Sequence, residues 1–173
     1  MKKIYKNIYI RKATVEDAEQ LSVWWNDGNV MAHAGFPNGL RTTPDIVAHQ
    51  IVENNSRHII LILHEDIPIG EMNYNDVGNK ICEIGIKICN VNMQNKGIGK
   101  IALSLFIDDL FNEMNYEKIV LDTNLNNKRA QHVYEQLGFR KIIENIDSWK
   151  DQLGNMQSSV EYELIKNNFV SYL

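Results

Sequence analysis

Cysteine is nearly absent from this chain: Cys82 and Cys89 are the only two in 173 residues. A disulfide framework is therefore excluded as the source of stability. The two lie on one apolar segment at an odd separation, so an extended strand turns them to opposite faces and a mutual bridge is not expected. No long run of lysine and arginine occurs and the net charge is −4, which argues against non-specific nucleic-acid binding. The longest purely aliphatic run, Ile59 to Leu63, is far too short to cross a bilayer. Behind the basic start Met1-Lys2-Lys3, the residues Lys6, Asn7, Arg11 and Lys12 interrupt what a signal peptide would need as an unbroken apolar stretch. His33, His49, His58, His64 and His132 show no paired ligand spacing, so no metal site is expected. No G-x-x-x-x-G-K-[ST] loop is present either. These absences imply a reduced, cytoplasmic protein without membrane or nucleic-acid partners.

What is present is an ordinary globular composition, 44% hydrophobic and 23% charged, enough for one domain over residues 1–173. Ile8 to Ala13 reads as a first strand. Thr14 follows as a helix N-cap with Asp17 at the third helical position, and apolar spacing carries that helix to Gly28. From Gly28 to Leu40 the chain reads as irregular and aromatic, suited to a pocket wall or to a packed surface loop. Pro44 opens a second helix running to about Asn54. His58–His64, Ile69–Tyr74 and Ile81–Cys89 read as three strands of an antiparallel meander, turned at 65–68 and 75–79. In the third, Cys82, Ile84, Ile86 and Ile88 share one face, and Glu83, Gly85 and Lys87 the other. A long helix over Gly97–Asn115 carries apolar residues on much of its circumference, so it should pack on the sheet and on something else. The strand Lys118–Asp122 follows, then a helix capped by Asn127 and stopped by Gly138, then strands over Phe139–Asn145 and Ser158–Ile165. The expected class is a mixed α/β sheet with about four helices, antiparallel first and parallel in the middle.

One stretch organises the rest. Gln94-Asn95-Lys96-Gly97-Ile98-Gly99-Lys100 joins the third meander strand to the long helix. Glycines there let backbone approach a ligand, and the open N–H groups of a helix start attract anions. Lys96 and Lys100 oppose the helix dipole unless an anion neutralises them. A phosphate site and a solvated basic turn are both compatible with this stretch alone. Gly97, Gly99 and Ala102 also satisfy a dinucleotide fingerprint with Asp122 downstream. That motif wants its first glycine directly after the strand and a series of βαβ units, and neither is found.

With the two segments in order, the chain resembles the GNAT superfamily of acyl-CoA-dependent N-acetyltransferases. Gln94-x-x-Gly97-x-Gly99 is similar to its pyrophosphate loop. Asn127-x-x-Ala130-x-x-x-Tyr134-x-x-x-Gly138-Phe139 is similar to its second motif. The resemblance spans nearly the whole chain and implies a sheet splayed between the fourth and fifth strands, with the cofactor's pantetheine filling the gap like an added strand. It further implies acetyl-CoA as co-substrate. Backbone at Lys87, Ile88 and Cys89 would hold pantetheine, Asn95 to Lys100 the pyrophosphate, and Asn127 the pantetheine arm. Tyr134 matches the family's general acid, since a phenol is protonated at neutral pH.

The acceptor amine must lose a proton to attack. Glu83 is the first candidate base, with Glu71 and Asp122 as alternatives. The two cysteines are not expected as acyl carriers. Residues 26–41 and 147–151 match regions that wall the acceptor slot. Acids there would suit a cationic amine of a small molecule or a peptide N-terminus, while Arg41 would suit a carboxylate. A resemblance to the branch of ribosomal-protein and polyamine acetylators, and a possible homodimer, complete the expectation. The competing class is a non-catalytic acyl-CoA-binding sensor or scaffold.

Overall fold

A computed structural model describes residues 2–53 and 57–173. Among these residues, eight strands form one sheet in the order β1-β2-β3-β4-β5-β6-β8-β7. They are β1 Lys2–Tyr5, β2 Ile8–Lys12, β3 Arg57–His64, β4 Ile67–Gly78, β5 Ile81–Ile88, β6 Lys118–Asn124, β7 Arg140–Lys150 and β8 Met156–Ile165. The helices are α1 Ala18–Asn26, α2 Gly28–Met31, α3 Pro44–Glu53, α4 Ile98–Asn112 and α5 Lys128–Gln136. Every pairing is antiparallel except β5 with β6.

That parallel pair is short. Ile81, Cys82 and Glu83 stand opposite Lys118, Ile119 and Val120, and there the register ends. Beyond Glu83 the two strands part, as the splayed sheet requires. In the strand count that includes the N-terminal hairpin, these are the fifth and sixth.

The sheet buries both faces. Ile60 and Ile62 of β3 join α4 and α5 in one core, with Phe106, Ile107, Leu110 and Tyr162. Ile59, Leu61 and Leu63 join α1 and α3 in the other, with Leu21, Trp24, Trp25 and Val47. Each such aliphatic or aromatic side chain contributes about 1.5–3 kcal/mol on full burial. The cysteines fall as strand parity demands, Cys82 in the first core and Cys89 in the second, both free. Helix α4 is buried nearly all round. Its second neighbour, beyond the sheet, is the C-terminal segment, where Phe169 meets Phe111 at 6.2 Å between centroids.

Several boundaries move, for identifiable reasons. The meander turns are two-residue turns, not four or five. Glu65 and Asp66 (φ 50° and 65°) make one, and Asn79 and Lys80 (φ 52° and 58°) the other. Two successive left-handed residues match the twist of a hairpin, so Ile67 and Pro68, and residues 75–78, belong to β4. The hairpin strand β1 is short, lies at the sheet edge and carries two lysines, which hid it among the basic residues. The stretch 28–40 is more ordered than expected: Asp27 caps α2 by accepting from Asn29 N–H, and a 3-10 turn follows at Ala32–Ala34. Asn115 (φ 60°) stands left-handed behind Asn112, so α4 ends a turn early. At Thr14 the capping arrangement is present: the Asp17 carboxylate accepts from Thr14 N–H at 2.8 Å and from Arg11 at 2.6 and 2.8 Å. The first turn there is 3-10, and α1 starts at Ala18. The expected end of the second helix, near Asn54, lies outside the described residues.

Candidate active site

Where β5 and β6 separate, a cleft of about 950 Å³ runs through the molecule. Glu83, Gly85, Lys87 and Ile88 of β5, residues 94, 95 and 97–100, Asp122–Asn124 of β6, and Asn127, Arg129 and Tyr134 around α5 line it. The sequence-predicted residues thus meet, apart from Arg41 and three others. Lys96 is exposed outside the lining, Cys89 is buried behind it, and Glu71 is sealed beneath it.

At one end lies the loop into α4. Asn95 (φ 59°) and Gly97 (φ 76°) are left-handed, and Gly97 N-caps the helix. The Lys100 N–H bonds back to Gly97 O at 3.1 Å, which leaves the amides before it as the helix's open end. A Cβ placed on Gly99 would meet only Ile88 Cγ1 at 3.7 Å, an ordinary contact. The protein itself does not need glycine there; close approach by a ligand would. Lys100 and Arg129 both reach this end, Arg129 donating to Gln94 Oε1 at 3.0 Å. Sequence reading missed Arg129, yet the signal existed. Lys128 and Arg129 stand in the first turn of α5 without an acid, opposing that dipole as Lys100 does in α4. Asn127 caps α5 by accepting from Ala130 N–H at 3.3 Å.

The wall facing the gap follows from strand parity. Cys89 N–H donates to Ile69 O at 2.9 Å, so it is turned toward β4. Alternation then turns the peptide groups of Ile88 and Ile86 toward the gap. Gln94 Nε2 already donates to Ile88 O at 2.8 Å from that side. The unpaired edge is therefore at Ile86 and Ile88, with Lys87 contributing its side chain.

The chemistry-bearing groups cluster at the fork. Glu83 is the last β5 residue in register, and Asp122 lies on β6 just past its partner Val120. Burial, then the charges of Glu83 and Glu161, raise the Asp122 pKa above the ordinary aspartate value, although its side chain opens to the cleft. Tyr134 packs against Phe139 and Tyr162 at 5.8 and 5.9 Å between centroids. Burial, with the charge of Asp122 adding to it, pushes its phenol well above the usual range. The hydroxyl stays protonated at any working pH.

Glu71 is excluded as a proton acceptor from the cleft by its position. It is fully buried, with Lys87 Nζ at 3.0 Å and Trp25 Nε1 at 3.4 Å. Burial works to raise its pKa, but Lys87 and Arg57 outweigh that and hold it low. Between the two acidic positions, Asn73 lies over Gly85, whose added Cβ would stand 3.0 Å from Asn73 Nδ2. Burial pushes the Cys82 thiol up to about 12 and Cys89 higher still, so neither supplies a thiolate.

Residues 26–41 and 147–155 roof the other end of the cleft and are tied together. Gln152 N–H donates to Gly35 O at 2.8 Å, and its side chain bonds Asn38 N–H and Gly39 O. Gly35 lies under the Trp149 ring, where a Cβ would come within 2.5 Å. Asn29, Val30, His33 and Trp149 line the cleft from this roof, whereas Arg41 does not. Arg57, at the start of β3, does.

Comparison with known proteins agrees with this geometry. Residues 7–140 match the model of the acetyltransferase (GNAT) domain. The uncharacterized N-acetyltransferase YnaD of Bacillus subtilis is 27% identical over 157 residues, 85% of this chain and 91% of that one. Among solved structures, the spermidine N-acetyltransferase of Vibrio cholerae, crystallised with CoA and spermine, superposes with a TM-score of 0.82 at 18% identity, covering 94% of this chain and 97% of that one. RimL, a ribosomal L7/L12 α-N-protein acetyltransferase in complex with CoA, gives 0.81 at 14% identity, covering 94% and 96%. The matched domain, the splayed sheet and the glycine loop at its edge lead to one conclusion: the chain belongs to the GNAT family and is an acyl-CoA-dependent N-acetyltransferase that uses acetyl-CoA.

Proposed function

We propose that the enzyme transfers the acetyl group of acetyl-CoA directly to a primary amine, on a cationic small molecule or a peptide N-terminus, with no acyl-enzyme. The observation that carries this reading is the convergence of Glu83, Asp122 and Tyr134 at the fork of β5 and β6, inside one cleft. The open amides of residues 95–99, with the Lys100 and Arg129 side chains, bind the phosphates of the donor. The free edge at Ile86 and Ile88 and the Asn127 side chain take the pantetheine. This places the thioester beside Tyr134.

The Glu83–Asp122 pair receives the acceptor as an ammonium ion and takes its proton. A raised pKa makes Asp122 a stronger base than an ordinary aspartate. The amine nitrogen attacks the thioester carbon, the C–S bond breaks, and the departing thiolate takes the Tyr134 proton. The second proton lost by the nitrogen restores the Tyr134 phenol, leaving the acetylated amine, CoA thiol and one proton on Asp122. The two proton transfers are coupled. The Asp122 charge that helps hold Tyr134 protonated vanishes when Asp122 accepts the amine proton. Tyr134 thereby becomes a stronger acid at the step that needs one. The relatives named for spermidine and for a ribosomal protein's α-amino group bracket the amine classes that the Glu83–Asp122 pair suits, although no acid of the roof lines the cleft.

The test is a panel of polyamines, aminoglycosides, amino acids and short peptides with acetyl-CoA, read as acceptor-dependent release of free CoA and acetylated product by mass. Turnover with a cationic amine is expected. Tight acetyl-CoA binding with no acceptor-dependent CoA release across the panel would favour a binding module instead.

A further inference from the structure

The chain beyond β8 returns to the phosphate end of the cleft. Val170 N–H donates to Leu137 O at 3.0 Å and Tyr172 N–H to Ser104 Oγ at 3.1 Å, which bridges the segment across α5 and α4. The Tyr172 hydroxyl lies 3.4 Å from Gln136 O. Its ring then sits under the Lys100 ammonium, 3.9 Å from the centroid, while Gln136 Oε1 accepts from the same ammonium at 3.2 Å. Lys100 and Gln136 line the cleft; Tyr172 stands behind them.

Lys100 occupies the first turn of α4, where a cation meets the positive end of the helix dipole. Two groups nevertheless hold it there, and both are neutral. A carboxylate would cancel the charge, whereas a ring face and an amide oxygen fix the ammonium and leave its charge available.

We propose that Tyr172 is a positioning residue for acyl-CoA: with Gln136 it clamps Lys100 toward the phosphates of the donor. This rests on the reading that residues 95–100 bind those phosphates. The ring matters, and its hydroxyl is secondary.

The test compares binding of CoA and of phosphate-free pantetheine by calorimetry in wild type, Tyr172→Leu, Tyr172→Phe, Lys100→Ala and the double variant Tyr172→Leu/Lys100→Ala. A partly exposed cation–π contact predicts that Tyr172→Leu weakens CoA binding about three- to tenfold. Tyr172→Phe binds like wild type, and the double variant is no weaker than Lys100→Ala alone. Pantetheine binding stays unchanged throughout. In steady state the Tyr172→Leu loss appears in the KM for acetyl-CoA, with kcat retained. If Lys100→Ala binds CoA normally, the phosphate-loop assignment fails and the clamp with it. If Lys100→Ala weakens CoA while Tyr172→Leu does not, or tightens it, the loop stands and the clamp is wrong. Additive losses in the double variant, or a matching loss for pantetheine, also overturn the clamp.

Discussion

Asp122 lies on β6 two residues beyond Val120, the last residue paired with β5, and the charge of Glu83, Val120's partner, raises the Asp122 pKa on top of what burial does. The two carboxylates mark the point where the sheet opens. A folded-state pKa above the unfolded value means that ionised Asp122 is a liability to the fold. The native state then binds more protons, so stability falls as pH rises through the window above the ordinary aspartate pKa. Asp122→Asn removes that cost and is expected to raise the midpoint of thermal unfolding at neutral pH. The same variant should lower kcat by roughly 10²-fold, because the base is gone. A drop in both stability and activity would contradict the electrostatic account.

Glu83→Gln tests the coupling itself. With the neighbouring charge removed, the Asp122 pKa falls. The acidic limb of kcat/KM against pH, where it reports Asp122, is expected to move to lower pH. A limb that stays in place means the pair does not titrate together.

Tyr134→Phe keeps the ring between Phe139 and Tyr162 and deletes one oxygen. Fold and acetyl-CoA affinity should persist, while kcat drops by roughly 10²-fold, the low end for a general acid. Stopped-flow and steady-state rates together test whether chemistry limits turnover. Unchanged kcat under that condition returns Tyr134 to a packing role.

The two loop glycines should separate. Gly97→Ala forces a side chain into a left-handed conformation (φ 76°) and is expected to cost stability on the order of 1 kcal/mol. At Gly99 an added Cβ makes only an ordinary contact, so Gly99→Val should leave circular dichroism unchanged while weakening acetyl-CoA binding at least tenfold. Normal binding by Gly99→Val would move the phosphates elsewhere.

Lys87→Met leaves the buried Glu71 carboxylate without its nearest cation, which should destabilise the fold by roughly 3–5 kcal/mol in denaturant titration. Replacing both, Glu71→Leu with Lys87→Met, should recover most of that loss. Equal instability of single and double variants would deny the pairing.

The parts of this protein legible in its sequence are those set by local pattern. Alternation places Cys82 and Cys89 in opposite cores, and the glycine loop and the Asn127–Phe139 segment both contribute to the lining of the cleft. What escaped depends on contacts between distant segments. Whether the turns at 65–66 and 79–80 span two residues or more depends on left-handed backbone that Asp, Glu, Asn and Lys do not announce. Glu71 looked like any strand acid until α1 and Lys87 covered it. Arg129 and Tyr172 reach the phosphate end only because α5 and the C-terminal segment fold back beside α4.

Direct transfer is tested most sharply by initial rates over a grid of acetyl-CoA and acceptor concentrations, using the best amine from the panel. Attack within one ternary complex predicts intersecting double-reciprocal lines. Intact-protein mass after incubation with acetyl-CoA alone should show no added acetyl group. Parallel lines, together with an acetyl adduct that acceptor amine discharges, would contradict the account and require a nucleophile on the chain that carries the acetyl group.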